Sequence, residues 1–349
     1  MTKMIRIAWI SLMLIIIFAS PIFARSTVPI RDSQGEIIPG SIAELKKVEL
    51  GGIEQYIMLR GRDRTNPVLL FLHGGPGYPQ ISYIRHYQSE LERHFVVVNW
   101  DQRGSGLSYS EDIPAESMTV DTLLSDTYQL VELLCERFNQ DQIFLVGHSY
   151  GSYLGILMVD RHPELFEGYV GIGQMSNDLE SERLSYRYTL KKAREEENTQ
   201  AINQLEEIGP PPYQKDEDFD TQRKWLKIYS ESDLNIKNIT IRNIIFSPEY
   251  NWLDSRKFIQ GAKFTRKTMY DHAFNINLFE EVKEVDIPIY FCLGKKDYGV
   301  PFEFSAKYFN FLKAPEKKIF WFPESGHYLH LENQEKFAQI MLTILRKVE

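Results

Sequence analysis

A chain of 349 residues, 43% hydrophobic and 25% charged, has the make-up of a folded globular protein, long enough for one large domain or a domain with a sizeable insertion. Its net charge of −8 and pI near 5.6 argue against a nucleic-acid surface and suit a neutral or cationic small ligand. Two cysteines, Cys135 and Cys292, are too few for a disulfide framework, and neither has neighbours at metal-ligand spacing.

The N-terminus differs from the rest. Lys3 and Arg6 precede an apolar stretch, Ile7 to Phe18, that runs into Ala19-Ser20-Pro21-Ile22-Phe23-Ala24. A positive start, a short apolar core and small residues at the end read as a signal peptide over 1–24, cleaved after Ala24. An uncleaved membrane anchor is the alternative, because Ile7 to Ala24 is just long enough to span. Export is therefore expected, to the medium or a periplasm, with membrane contact only through this segment.

Residues 26–41 form a polar lead-in. Ala43 to Arg60 alternates around Gly51-Gly52, which predicts a hairpin. Val68 to Leu72 is a buried-strand run that ends in His73-Gly74-Gly75-Pro76-Gly77. Helical spacing follows over 80–94. Phe95 to Trp100 is another buried run, ending in Asp101-Gln102-Arg103-Gly104-Ser105-Gly106. A helix over about 119–138 leads to a third run, Ile143 to Val146. Next come Gly147-His148-Ser149-Tyr150-Gly151 and a helical pattern of Tyr153, Leu154, Leu157 and Met158. Phe166 to Gly173 is the next strand.

The rhythm breaks at 178. From there to about 263 the chain is helical, charged and interrupted by Gly209-Pro210-Pro211-Pro212. Strands resume at Ile287 to Leu293 and Lys318 to Phe322. Alternating strands and helices mean a mostly parallel sheet, with ligand chemistry at the carboxyl ends of the strands. The expected architecture is an α/β fold with a mostly parallel sheet: core over 43–177 and 264–349, with a helical cap inserted over 178–263.

Strand, G-x-S-x-G, helix is the context of a nucleophile elbow, with Ser149 at the sharp turn. A serine hydroxyl needs a base, and the base needs a carboxylate to orient it. In this fold the order is Ser, then Asp or Glu, then His. Asp297, in Leu293-Gly294-Lys295-Lys296-Asp297, and His327, in Glu324-Ser325-Gly326-His327, each follow a strand at the right edge. His272 falls in a helical stretch, His330 in the helix after the loop, and Asp286 before its strand. An oxyanion hole would use the N–H of Tyr150 and, from the loop after Val68 to Leu72, that of Gly75, since Pro76 has none. Arg103 is a brace for loops near the site, because a guanidinium is a poor base.

HGGPG, DQRGSGLS, GHSYGS, LGKKDYGVPFE and FPESGHYLHLE together resemble the prolyl aminopeptidase (proline iminopeptidase) family of serine α/β-hydrolases. The resemblance covers about 45–177 and 264–349. It implies release of an N-terminal residue, proline among the candidates, from short peptides by Ser149, Asp297 and His327, with no metal and no cofactor. It also implies that acidic cap residues, with the HGGPG loop, hold the substrate's α-ammonium. This chain departs from proline-specific members at Tyr150, where they carry Trp, and it lacks their R-I-E-N-H-Y-F-like cap segment. Residues 178–220 carry twelve acidic and six basic side chains. Glu195, Glu196, Glu197, Glu206 and Glu207 are candidates for the ammonium anchor, with a solvated helix face as the alternative. Two other functions stay open: an esterase or lactonase using the same triad, and a catalytically silent binding protein of the cell envelope.

Overall fold

The computed structural model describes residues 25–213, 215–230, 236–251, 254–273 and 275–348. The signal-peptide reading of 1–24 lies outside them. Among the described residues eight strands form one sheet, in the order β1 (Ile42–Leu50), β2 (Ile53–Gly61), β4 (Val96–Asp101), β3 (Val68–Leu72), β5 (Ile143–His148), β6 (Phe166–Ile172), β7 (Ile289–Gly294) and β8 (Lys317–Phe322). The hairpin about Gly51-Gly52 supplies β1 (Ile42–Leu50) and β2 (Ile53–Gly61), which pair antiparallel. β2 also pairs antiparallel with β4 (Val96–Asp101); from β3 (Val68–Leu72) onward every pairing is parallel.

The central strands are apolar throughout because both faces are covered. Val68, Leu70 and Leu72 of β3 enter one core, and Leu69 and Phe71 the other. β5 (Ile143–His148) divides likewise, with Ile143 and Leu145 on one side and Phe144 and Val146 on the other. The first core is covered by α1 (Val120–Phe138) and α2 (Tyr150–Arg161). Thr119 caps α1 by accepting the Thr122 N–H at 3.1 Å, and Asn139 ends it in a left-handed turn at φ 52°. β6 (Phe166–Ile172) then leads into the helical insertion.

The insertion comprises α3 (Asp178–Glu195), α4 (Thr199–Ile208), α5 (Asp216–Tyr229), α6 (Ile236–Phe246) and α7 (Asp254–Ala273). Its neck is closed where the chain leaves and returns: Asp178 N–H donates to Ile276 O at 3.0 Å, and Leu278 N–H to Ser176 O at 2.7 Å. The position 263 therefore falls inside α7, whose second half carries core-like residues: Met269 is buried in the main core, with Phe264 and Ala273 packed against it. The core resumes with α8 (Leu278–Glu281), β7 (Ile289–Gly294), α9 (Phe302–Phe311), β8 (Lys317–Phe322), α10 (Leu329–Glu332) and α11 (Gln334–Val348). Phe337, Met341 and Ile344 of α11 fill the second core.

The helix expected over 80–94 is two short 3-10 turns, Ile84–His86 and Leu91–Arg93. Its apolar spacing is real, since Ile81, Ile84 and Leu91 are buried. Its polar residues, however, are tied to other elements: Gln88 accepts from Asn99 at 2.8 Å, and Glu92 takes the Arg60 guanidinium at 2.7 Å.

Residues 25–28 strap the insertion to the sheet. Arg25 grips Asp254 of α7 with two donors, at 3.0 and 2.6 Å, and donates to the Tyr56 hydroxyl of β2 at 3.0 Å. Thr27 donates to Glu249 at 2.8 Å and accepts from Arg60 at 2.7 Å.

Candidate active site

Ser149 sits between β5 and α2 at φ 54° and ψ −122°, a backbone conformation costly for a residue with a side chain. The turn is held by Ser149 N–H donating to Ile172 O at 2.9 Å and by the Ser152 hydroxyl donating to Ser149 O at 2.6 Å. Both flanking glycines are required sterically. A Cβ on Gly147 would meet the carbonyl of Gly151, and one on Gly151 would meet that of Leu72.

Asp297 and His327 come from the loops after β7 and β8. His327 Nδ1 lies 2.8 Å from Asp297 Oδ2, so its N–H donates there. Asp297 Oδ1 accepts the N–H groups of Gly299 and Val300 at 2.9 and 2.8 Å. With both oxygens occupied and 2% exposure, the carboxylate has a fixed direction. Gly173, after β6, makes room for this pair: a Cβ there would stand 3.2 Å from Asp297 Oδ2 and 3.3 Å from His327 Nδ1. Sequence reasoning passed over Gly173, which carries no local sign of contact with residues more than a hundred positions away.

The HGGPG loop closes the other side. A Cβ on Gly74 would stand 2.8 Å from Ser149 Cβ, so the loop passes the serine only as glycine. His73 anchors it: its Nδ1–H donates to Gly74 O at 2.9 Å and its Nε2 accepts the Gln102 N–H at 3.2 Å. Burial lowers its pKa to about 4, keeping the ring neutral. Gln102 belongs to DQRGSG, so the two glycine-rich loops are joined. Both also bear α7: Thr265 donates to Gly104 O at 3.0 Å, and a Cβ on Gly77 would stand 2.6 Å from Thr265. Arg103 turns away, pairing with Asp126 of α1 at 2.7 Å and donating to Gly51 O of the hairpin at 3.0 Å. It braces α1 and the hairpin rather than the cavity wall.

Ser149, Tyr150, Gly75, Asp297 and His327 line one cavity of about 690 Å³ between core and cap. The cap contributes apolar Phe219 and Leu226 and a charged group that the sequence reading did not name, Asp178, Glu182 and Arg223. Asp178 and Glu182 are one turn apart on α3, 8% and 3% exposed. Arg223 of α5 donates to Glu182 Oε1. Burial raises the pKa of Asp178 well above the carboxylate range, the neighbouring Glu182 raises it further, and Arg223 opposes both. Glu182 is raised by burial against the pull of Arg223.

The five glutamates named from sequence fall elsewhere. Glu195, Glu196, Glu197, Glu206 and Glu207 are all exposed, at the end of α3, in the turn after it and on α4, with Glu206 paired to Arg194 at 2.7 Å. Acidic density marked the right segment but the solvated face. The spacing of Asp178 and Glu182 beside Tyr186, which is buried on the same helix, was the available signal. His272 lies in α7 and His330 in α10, outside the cavity wall.

The alpha/beta hydrolase fold model matches residues 67–334. A probable aminopeptidase, YbaC of Bacillus subtilis, is 37% identical over 306 residues, covering 86% of this chain and 96% of that protein. A putative proline iminopeptidase of Mycoplasma genitalium is 29% identical over 42% of the chain and half of its own length. Among solved structures, a proline iminopeptidase-related protein of Thermus thermophilus superposes with a TM-score of 0.62 at 20% identity, covering 88% of this chain and 98% of that one.

Proposed function

The chain belongs to the alpha/beta hydrolase fold family as a prolyl aminopeptidase-like serine hydrolase, and we propose that it releases the N-terminal residue from short peptides through an acyl-enzyme on Ser149. His327, oriented by Asp297, takes the Ser149 proton as the hydroxyl attacks the first peptide carbonyl. The N–H groups of Tyr150 and Gly75 receive the oxyanion. His327 then returns the proton to the departing amine, the C–N bond breaks, and the acyl group stays on Ser149. A water, deprotonated by the same imidazole, releases the amino acid and restores the serine.

The observation that carries an amine-bearing substrate is the Asp178–Glu182 pair on the cap wall. Two carboxyl groups share one gripping guanidinium, Arg223, and burial holds Asp178 toward its neutral form, so a second cation beside it is what favours its ionisation. An α-ammonium bound there supplies that cation and sets the chain's first carbonyl toward Ser149. Tyr150, with its ring in the cavity wall, leaves the identity of the preferred first residue open beyond proline.

We also propose export. The apolar segment behind Lys3 and Arg6 supports it, and the strap begins at Arg25, so cleavage after Ala24 leaves the strap whole.

The test compares a prolyl-arylamide with its N-acetylated form, for wild type and Ser149→Ala. Cleavage of the free amine alone, abolished in the variant, is the expected result. Cleavage of a simple acyl ester with neither arylamide touched would replace the peptide substrate with an ester or lactone. Inertness to all three, together with no labelling by a fluorophosphonate, would favour a silent binding protein.

A further inference from the structure

We propose that His148, the residue before the nucleophile, is a positioning residue for His327, an inference that rests on the assignment of His327 as the base. His148 is 3% exposed, and its Nε2 stands 2.9 Å from the backbone oxygen of His327, 179 residues away. A carbonyl only accepts, so Nε2 carries the proton and donates. Nδ1 is then the acceptor, and the Gln80 side-chain nitrogen lies 3.4 Å from it as donor. The ring packs 4.7 Å from the His327 ring, 4.8 Å from that of His330 and 5.1 Å from that of Tyr328.

His327 is thus held twice. Asp297 fixes the ring through Nδ1, and His148 fixes the backbone from which that ring projects. The neighbouring loop residues have their own ties, Ser325 O accepting from Lys296 N–H at 3.0 Å and Gly326 N–H donating to Glu332 at 2.7 Å. Only His148 reaches the carbonyl of the base itself among the described hydrogen bonds. It also connects the strained serine turn directly to the base loop.

The second requirement is that this inner imidazole stay uncharged. The groups facing it are His327, His330, His73, Gln80 and Tyr328, none of them acidic. A proton arriving during acyl transfer therefore goes to His327, which has Asp297 to stabilise it, and a neutral His148 does not oppose it. Gln80 matches this state, its amide N–H directed at the unprotonated Nδ1 at 3.4 Å.

The test uses the full chain, a simple acyl ester and a fluorophosphonate, neither of which needs an ammonium site. His148→Ala is expected to lower kcat and the rate of Ser149 labelling together by about 10- to 100-fold, with KM within about threefold, as expected for a misplaced catalytic group. His148→Gln places an amide N–H near the Nε2 position and is expected to recover activity to within about threefold. Gln80→Leu removes only the 3.4 Å donor to Nδ1, leaving the carbonyl contact to hold the tautomer, and is expected to lower kcat by a smaller factor than His148→Ala. In ¹⁵N-resolved spectra of wild type, His148 is expected as a neutral Nε2–H tautomer across pH 5 to 9.

A folded His148→Ala enzyme with wild-type kcat, or a Gln variant as slow as Ala, would overturn the proposal. So would an Nδ1–H tautomer in the wild type, a measurement that stands even if the Ala variant does not fold. Wild type inert to both reagents would instead overturn the assignment of His327, and this inference with it.

Discussion

Asp178 and Glu182 stand one helical turn apart on the cavity face of α3, and the Arg223 guanidinium holds Glu182. The arrangement keeps the Glu182 carboxylate engaged by the protein and leaves the Asp178 carboxyl group on the wall of the cavity that Ser149 also lines. In the proposed reaction, amine recognition falls to the cap and acyl chemistry to the core.

Asp178→Asn removes the ionisable carboxyl group, and with it the charge that a bound ammonium would induce, while keeping the shape. A hydrogen bond to a charged group contributes about 1.5–3 kcal/mol, so kcat/KM for free-amine arylamides is expected to fall about 10- to 100-fold. Hydrolysis of an uncharged ester should stay within about twofold. Equal loss on both substrates would show that Asp178 serves the fold or the triad, not the amine.

The same residue ties stability to pH. Its folded pKa is raised above the unfolded value of about 3.9. The folded state therefore binds more protons through that window, and its stability falls as pH rises from about 4 through the folded value. Asp178→Asn should relieve this. The variant's thermal midpoint is expected to exceed that of wild type at pH 8 and to converge with it near pH 4.

Asp297 orients His327 while accepting two backbone N–H groups with its other oxygen. Asp297→Asn keeps the size but presents an N–H₂ in place of an acceptor, which favours the wrong imidazole tautomer. A loss of about 10⁴-fold in kcat is expected, with the cavity and its ligand affinity intact. Stopped-flow measurement of acylation and equilibrium binding of a substrate amide separate the two effects.

Gly74→Ala puts a methyl group 2.8 Å from Ser149 Cβ and 3.0 Å from His148 O, against a backbone with no room to yield. Fluorophosphonate labelling of Ser149 is expected to slow at least about tenfold, because the loop that supplies Gly75 is pushed off the serine. Wild-type labelling would place the loop's flexibility above its packing.

Arg25 is the only described donor pair that spans from the strap to Asp254, which is 1% exposed. Arg25→Ala leaves that carboxylate buried without its guanidinium, a change worth about 2–3 kcal/mol given the partial exposure of Arg25. The thermal midpoint should drop by several degrees. Limited proteolysis is expected to cut first within the cap.

The sequence by itself determined the strands, the elbow and the chain order of serine, aspartate and histidine. Those features are local. A parallel strand buried on both faces must be apolar throughout, and a strained turn beside a helix must have glycine where Gly147 and Gly151 stand. Asp297 and His327 were legible because each follows its strand directly, at the edge where such loops converge. Residues 80–94 misled because their apolar spacing is helical while Gln88 and Glu92 bind Asn99 and Arg60 on other elements. The carboxyl groups on the cavity wall escaped sequence reading for a related reason. Composition counts acidic residues along a helix, but which of them face a cavity depends on where the cap packs. Only the tertiary structure decided that Asp178 and Glu182 turn inward, that Gly173 makes way for the Asp297–His327 pair, and that His148 reaches the carbonyl of His327. Each is a contact between distant segments, and its physical cause is the closeness of backbones that the chain order alone does not disclose.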